Sequence, residues 1–362
     1  MSKKKIDLIN PFVIDVSPME RLLLVNFEKD PDALYIGFEP QVFNDSLHGK
    51  GHLVIAWRQD GKVDIYHEPG LRLAKESYDI VGKGLENLME REFVSALYEV
   101  EYSGVQANYQ FEDISGRRIC ITISEKNQKK RKPFGLLAPM GDAAENPSAL
   151  PLILLHDFYF VRKKDTDIRI SIDGKIHQPD SLPMPMDGAN MFFTRYSPRP
   201  LIATLNPAMD IEIPMLQVST GQKTVSSKYY EIALQWNNNQ PEIMKLTRKN
   251  DIHPITIDFP NAFPNIQDLP ESGFWEGAFT ITGDPATGSI KGHYQIEKED
   301  DATKITVIPS GGWRPKPAKL SLRFLYTVAK IFKNWPKTYQ WTAKISKKKN
   351  MEFQMISSWK RI

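Results

Sequence analysis

Val105-Gln106-Ala107-Asn108-Tyr109-Gln110-Phe111, the turn at Ser115-Gly116, and Ile119-Cys120-Ile121-Thr122-Ile123 form the stretch on which the fold turns. Apolar residues fall on every second position of both runs. That period sends alternate side chains to opposite faces, one buried and one wetter. Ile168, Ile170 and Ile172 repeat the pattern ahead of Asp173-Gly174. Antiparallel strands of this kind build sandwiches and barrels rather than doubly wound sheets.

Working outward, Glu20–Glu28 and Ala33–Phe38 read as strands on either side of the turn cluster Asp30-Pro31-Asp32. His52–Arg58 and Lys62–His67 flank Asp60-Gly61. That dipeptide tolerates the positive φ of a tight turn and marks a hairpin. Two segments read as helices. Leu85–Phe93 carries Leu85, Leu88, Met89 and Phe93 at helical spacing. Residues 319–335 place Leu325, Val328, Ala329, Phe332 and Trp335 on one face, with Pro315 and Pro317 before them and Pro336 after. Strands Thr338–Ile345 and Met351–Trp359 are expected to follow. Arg131–Ala149, Gln178–Pro185 and Ile252–Pro270 are rich in proline, and the first reads as a long loop, a place for functional lids. Lys50-Gly51-His52 is echoed by Lys291-Gly292-His293, which could be the trace of a duplicated sheet unit.

The expected fold class is mainly β: two antiparallel β-barrel or β-sandwich domains, residues 1–200 and 201–362, the second with a C-terminal amphipathic helix over about 319–335. A chain of 362 residues favours two domains and can bury a core without disulfides. Apolar residues make up 41% and charged residues 25%, which excludes wholesale disorder. The single cysteine, Cys120, fits a packed strand position and a reducing compartment. Asp7, Asn10 and Pro11 interrupt the basic start, so no secretory leader and no spanning helix is expected, and the location is read as cytoplasmic.

The net charge of +3 is unevenly spread. From Trp313 onward there are thirteen basic residues and one acid, Glu352, a balance of +12, which leaves −9 on residues 1–312. Two readings compete: a basic segment docked on an acidic body, or one that meets an anionic membrane surface. Nucleic acid is the less favoured partner.

The sequence has no P-loop, no Gly-x-Gly-x-x-Gly fingerprint, no His-Glu-x-x-His helix and no Gly-x-Ser-x-Gly elbow, so no cofactor and no metal is assigned. His52, His67 and Glu68 come together at the open end of the hairpin if its strands pair as expected. They offer a metal site or an acid/base pair, against the plainer reading of singly bonded strand-end residues. His156-Asp157 interrupts an apolar run ahead of Phe158-Tyr159-Phe160. A polar pair there is costly to bury unless partnered, so it should face a polar cavity or a strand junction. His156, Asp157 and Tyr159 are the catalytic candidates. Arg195-Tyr196 could bind a carboxylate or phosphate, because guanidinium pairs with such anions through two hydrogen bonds, or could make a structural ion pair.

Gly273-Phe274-Trp275-Glu276-Gly277 opens a strand after a proline-rich loop. It resembles the Gly-x-Trp start of a lipocalin barrel. With two β halves and a late helix, the chain resembles tandem lipocalin-related (calycin) proteins of the AttH and hydroxyneurosporene synthase type. The resemblance implies two calycin-like barrels around an apolar ligand such as an isoprenoid or fatty acyl chain. In the hydratases of that group a cofactor-free acid/base group adds water to a double bond; no catalytic residue is carried over.

The leading expectation is therefore an apolar small-molecule binder, with His52, His67, Arg195, Tyr196, Trp275 and Trp313 as ligand contacts and His156, Asp157, Tyr159 and Arg195 around one cavity. A cofactor-independent hydratase or lyase and a peripheral membrane protein are the alternatives.

Overall fold

The computed structural model describes residues 4–79, 81–102, 104–127, 133–138, 145–317, 320–328, 335–348 and 352–362. The protein is mainly β, as the period-two runs require. Two ten-stranded sheets and one five-stranded sheet carry most of the chain, and a two-stranded pairing joins Lys5–Leu8 to Leu216–Ser219.

The sheet membership changes between Leu205 and Met209. Strands before that point build the first ten-stranded sheet, ordered Ile14–Ser17, Leu201–Leu205, Leu150–Arg162, Met191–Ser197, Arg21–Asn26, Tyr35–Asp45, Gly49–Arg58, Val63–His67 and Leu85–Glu90, with Phe134–Ala138 paired to Leu150–Arg162. Strands after it form the second sheet, which runs almost in chain order from Thr224–Ser226 to Phe353–Arg361, with Met209–Ile213 at the edge. The Val105–Ile123 stretch lies in the five-stranded sheet. Its apolar positions pair as read, Ile121 opposite Tyr109 and Ile119 opposite Phe111.

These sheets make three layers. The five-stranded sheet packs Val105, Tyr109, Ile119, Ile121 and Ile170 against Leu23, Val25, Val54 and Tyr66 on one face of the first sheet. The opposite face joins a single core shared with the second sheet. Phe12 shows the sharing. Its ring lies 5.2 Å from Phe259, 4.9 Å from Phe263 and 6.2 Å from Trp341. The first sheet is thus covered on both sides, and Val63–His67 is buried along its whole length.

Two expectations are corrected. Leu85–Phe93 is not helical: Leu85–Glu90 is an edge strand parallel to Val63–His67. Six residues are too few for a helix to stand on its own propensity. Here the sheet edge offers backbone partners, and Asn87 Nδ2 donates to Asp64 Oδ1 at 2.7 Å. Arg131–Ala149 is not all loop: within it Phe134–Ala138 is a strand, paired antiparallel to Leu150–Arg162.

The late helix spans Leu320–Val328. Leu322 and Tyr326 are buried and Leu325 half-buried, an i, i+3, i+4 face. Ala329, Lys330, Phe332 and Lys333 lie outside the described residues, and Trp335 is buried in a turn. No helix among the described residues is long and apolar enough to cross a membrane.

Candidate functional site

On the shared-core face of the first sheet lies a cavity of about 410 Å³. Its wall is apolar: Leu22 and Leu24 from one strand, Leu155, Phe158 and Phe160 from another, Phe193 from a third, and Leu322, Leu325 and Tyr326 from the helix. Three charged residues reach the same space: Glu39, Arg195 and the exposed Glu28.

Glu39 and Gln41 sit two apart on Tyr35–Asp45, so they share a face, and Gln41 Nε2 donates to Glu39 Oε1 at 2.8 Å. Trp57 Nε1 donates to Glu39 Oε2 at 3.2 Å. Burial outweighs these hydrogen bonds and the attraction of Arg195, and pushes the Glu39 carboxyl up to about 7. Arg195 lies with its guanidinium 4.3 Å above the Phe193 ring and donates to Asn26 Oδ1 at 2.6 Å and to the Phe193 carbonyl at 2.9 Å. Desolvation brings it down to about 10, opposed by Glu39 and Glu28. No ion pair joins Glu39 to Arg195 among the described residues; each faces the space with its own supports. A carboxyl that can be neutral and a fixed guanidinium together can hold an anionic or hydroxyl head.

The wall owes its shape to a bulge. On Leu150–Arg162, Leu155 pairs with Leu136 and Phe158 with Phe134, three steps on one strand against two on the other. The extra residue falls at His156-Asp157 and switches the cavity side from Ile153 and Leu155 to Phe158 and Phe160. The polar pair that interrupts the apolar run is therefore the bulge itself.

Of the residues expected around one cavity, Arg195 lines it and the others are turned elsewhere. His156 is buried and points to the second half of the chain, with its ring 5.0 Å from that of His253. Burial lowers its pKa. Asp157 accepts from Arg199 Nη2 at 2.9 Å. Tyr159 stacks on Tyr196, ring centres 5.3 Å apart, in the layer beneath the five-stranded sheet. His52 and His67 do not meet. Leu53 pairs with His67, so the histidines are one residue out of register and face opposite sides of the sheet. His52 Nδ1 lies 2.9 Å from Tyr109 Oη, and His67 Nδ1 lies 3.0 Å from the Glu68 carbonyl. Trp275 is half-buried at the core margin, its ring laid over Gly273, where a Cβ would come within 2.5 Å of the indole. The Gly-x-Trp spacing thus has a local steric cause. Trp313 stands behind the wall: its Nε1 donates to the Thr287 carbonyl at 2.8 Å, and its ring meets Tyr326 edge-on at 5.0 Å.

Sequence reasoning missed Glu39. The strand expected over Ala33–Phe38 stops one residue short of it, whereas the observed strand runs Tyr35–Asp45 with both faces of its sheet covered. The available signal was the near-continuous apolar run Leu150–Leu155 in another strand of the same sheet, the mark of a strand covered on both faces.

No family model matches the chain, and no solved structure matches it. A curated protein with similarity is the "Putative lipoprotein AcfD homolog" of Escherichia coli (strain K12), 26% identical over 181 residues, which are 47% of this chain and 10% of that protein. The chain therefore spans about a tenth of the length of the curated relative it matches.

Proposed function

We propose that the chain binds an apolar small molecule with an oxygen-bearing head, fatty-acyl or isoprenoid-like, with the tail among Leu155, Phe158, Phe160 and Leu325 and the head between Glu39 and Arg195. The observation that carries this reading is an apolar cavity of about 410 Å³ holding one buried carboxyl and one stacked guanidinium. Its size falls within the range of roughly 300–1,000 Å³ common for small-molecule sites, and a few placed polar groups in an apolar wall are their usual make-up. A lipocalin-like origin of the two halves belongs to the same proposal and is supported by the chain-order meander of the second sheet. A cytoplasmic location belongs to the same proposal and rests on the single cysteine; fractionation of the native protein tests it.

Native mass spectrometry of the purified chain, then denaturation and identification of any released molecule, tests the binding. The expected result is one apolar acid or alcohol per chain, lost or weakened in Arg195→Met and Glu39→Gln. Saturable binding of such molecules that ignores both substitutions would overturn the placement.

One observation favours a second reading, a cofactor-independent hydratase or lyase. A carboxyl near pH 7 is suited to give and take protons at neutral pH. Incorporation of heavy oxygen from water into the identified ligand, abolished by Glu39→Gln, would establish turnover.

A further inference from the structure

We propose that His156, His253 and Asp284 bind a divalent transition ion of the zinc class, and that this ion fastens the two halves of the chain together. His156 comes from the bulge in Leu150–Arg162. His253 lies in the turn between Gln240–Arg248 and Ile255–Phe263, and Asp284 just after Ser272–Thr282. Residues about a hundred positions apart therefore converge: one ring nitrogen from each histidine and one Asp284 oxygen all lie within 4.8 Å of one another. His253 Nε2 is already 3.1 Å from Asp284 Oδ2.

The state of His156 is the second observation. Its Nδ1 is buried with no hydrogen-bond partner, and its Nε2 lies 3.7 Å from Asp157 Oδ2, beyond hydrogen-bond length. A ring nitrogen taken out of water with no bonded partner is unfavourable, and a metal bond to the imidazole would relieve it. The surroundings hold the other two ligands in place without using them up. Asp284 caps the following turn through Oδ1, which accepts from the Ala286 amide at 2.7 Å, so Oδ2 is the oxygen turned to His253. Asn250 Oδ1 accepts from the His253 amide at 2.9 Å and fixes the turn that carries the ring.

Two imidazoles and one carboxylate select ions that accept nitrogen, such as zinc, over calcium or magnesium, which prefer oxygen cages. In a tetrahedral zinc site with bonds of about 2.0–2.1 Å, ligand atoms stand roughly 3.4 Å apart. The widest pair must therefore close, and His253, 37% exposed, has the freedom to do so. Its exposure leaves the fourth position to water or an added ligand.

The test is zinc titration of the full-length, chelator-stripped chain by calorimetry, with cobalt absorption as a readout of ligand type. One zinc per chain is expected, with tetrahedral cobalt bands and a higher unfolding temperature. His253→Ala and Asp284→Asn should each weaken binding at least about tenfold. Asp284→Asn keeps an oxygen for the Ala286 amide, so folding is preserved. His293→Ala, on the exposed face of another strand, should change nothing. Zinc binding that is absent from the native chain, or equal in His253→Ala and Asp284→Asn, overturns the assignment.

Discussion

The two ten-stranded sheets use the same residue types and arrive at opposite interiors. The second closes on rings: Trp341, Trp359 and Tyr339 are fully buried, and Phe259, Phe263 and Tyr294 lie within 5.0–5.8 Å of one another. The first keeps an open space against the shared core, with Glu39 and Arg195 facing it. The difference follows chain order. In the second sheet successive strands are neighbours, so Trp341 lies directly opposite Trp359 on the adjoining strand. In the first, Leu150–Arg162 changes partners from Leu201–Leu205 to Met191–Ser197 around the bulge at His156. Where the order breaks, side chains from distant segments converge without filling the gap.

The largest effect should come from opening the filled interior. Trp359 is buried, and its Nε1 donates to the Asn206 carbonyl at 2.6 Å. Trp359→Ala is expected to cost about 3–5 kcal/mol, from lost burial and a new cavity, in urea unfolding. Leu24→Phe extends into a space that already exists and should cost under about 1.5 kcal/mol. Comparable losses at both positions would erase the contrast between the two interiors.

Glu39 gives the next largest. Its carboxyl is raised from 4.5 to about 7, so the folded state holds its proton over a range where the unfolded chain has released it. Stability from this group is therefore complete below pH 4.5, falls as pH rises through 7, and levels off above. The total is roughly 3 kcal/mol at about 1.4 kcal/mol per pH unit. Subtracting the unfolding free energies of Glu39→Gln from those of the native chain between pH 4 and 8 isolates this slope, and a flat difference would place the carboxyl in contact with water.

How much of this was legible follows from what sets each feature. Strands such as Val105–Phe111 are specified by their own period, and Asp60-Gly61 by its turn chemistry. Both could be read residue by residue. Arg195 could be picked out as a candidate because guanidinium pairs with anions through two hydrogen bonds, although a structural ion pair fitted the sequence as well. Glu39 could not, since its burial depends on the layers that cover Tyr35–Asp45 on both faces, which no local window contains. The meeting of His156 with His253 and Asp284 is likewise a product of tertiary pairing. His52 and His67 failed to meet for a local reason, a register offset by one, which hairpin length alone did not fix.

The smallest effect tests whether the helix closes the hollow side. Tyr326 lines the cavity, and its Oη donates to the Gly135 carbonyl at 2.9 Å, tying the helix to Phe134–Ala138. Tyr326→Phe keeps the ring and its edge-on contact with Trp313 but removes that hydrogen bond. The net cost should be about 1 kcal/mol, because water can replace part of what is lost at a site only partly buried. If the helix is the cover, the same loss falls on the closed state alone. Release of a bound ligand should then quicken by about fivefold, the factor that 1 kcal/mol sets, while Leu322, Leu325 and the head groups leave the amount bound at saturation unchanged. Equal release rates in Tyr326→Phe and the native chain would mean that ligand enters elsewhere, past Phe193 and past Glu28 in the turn after Arg21–Asn26.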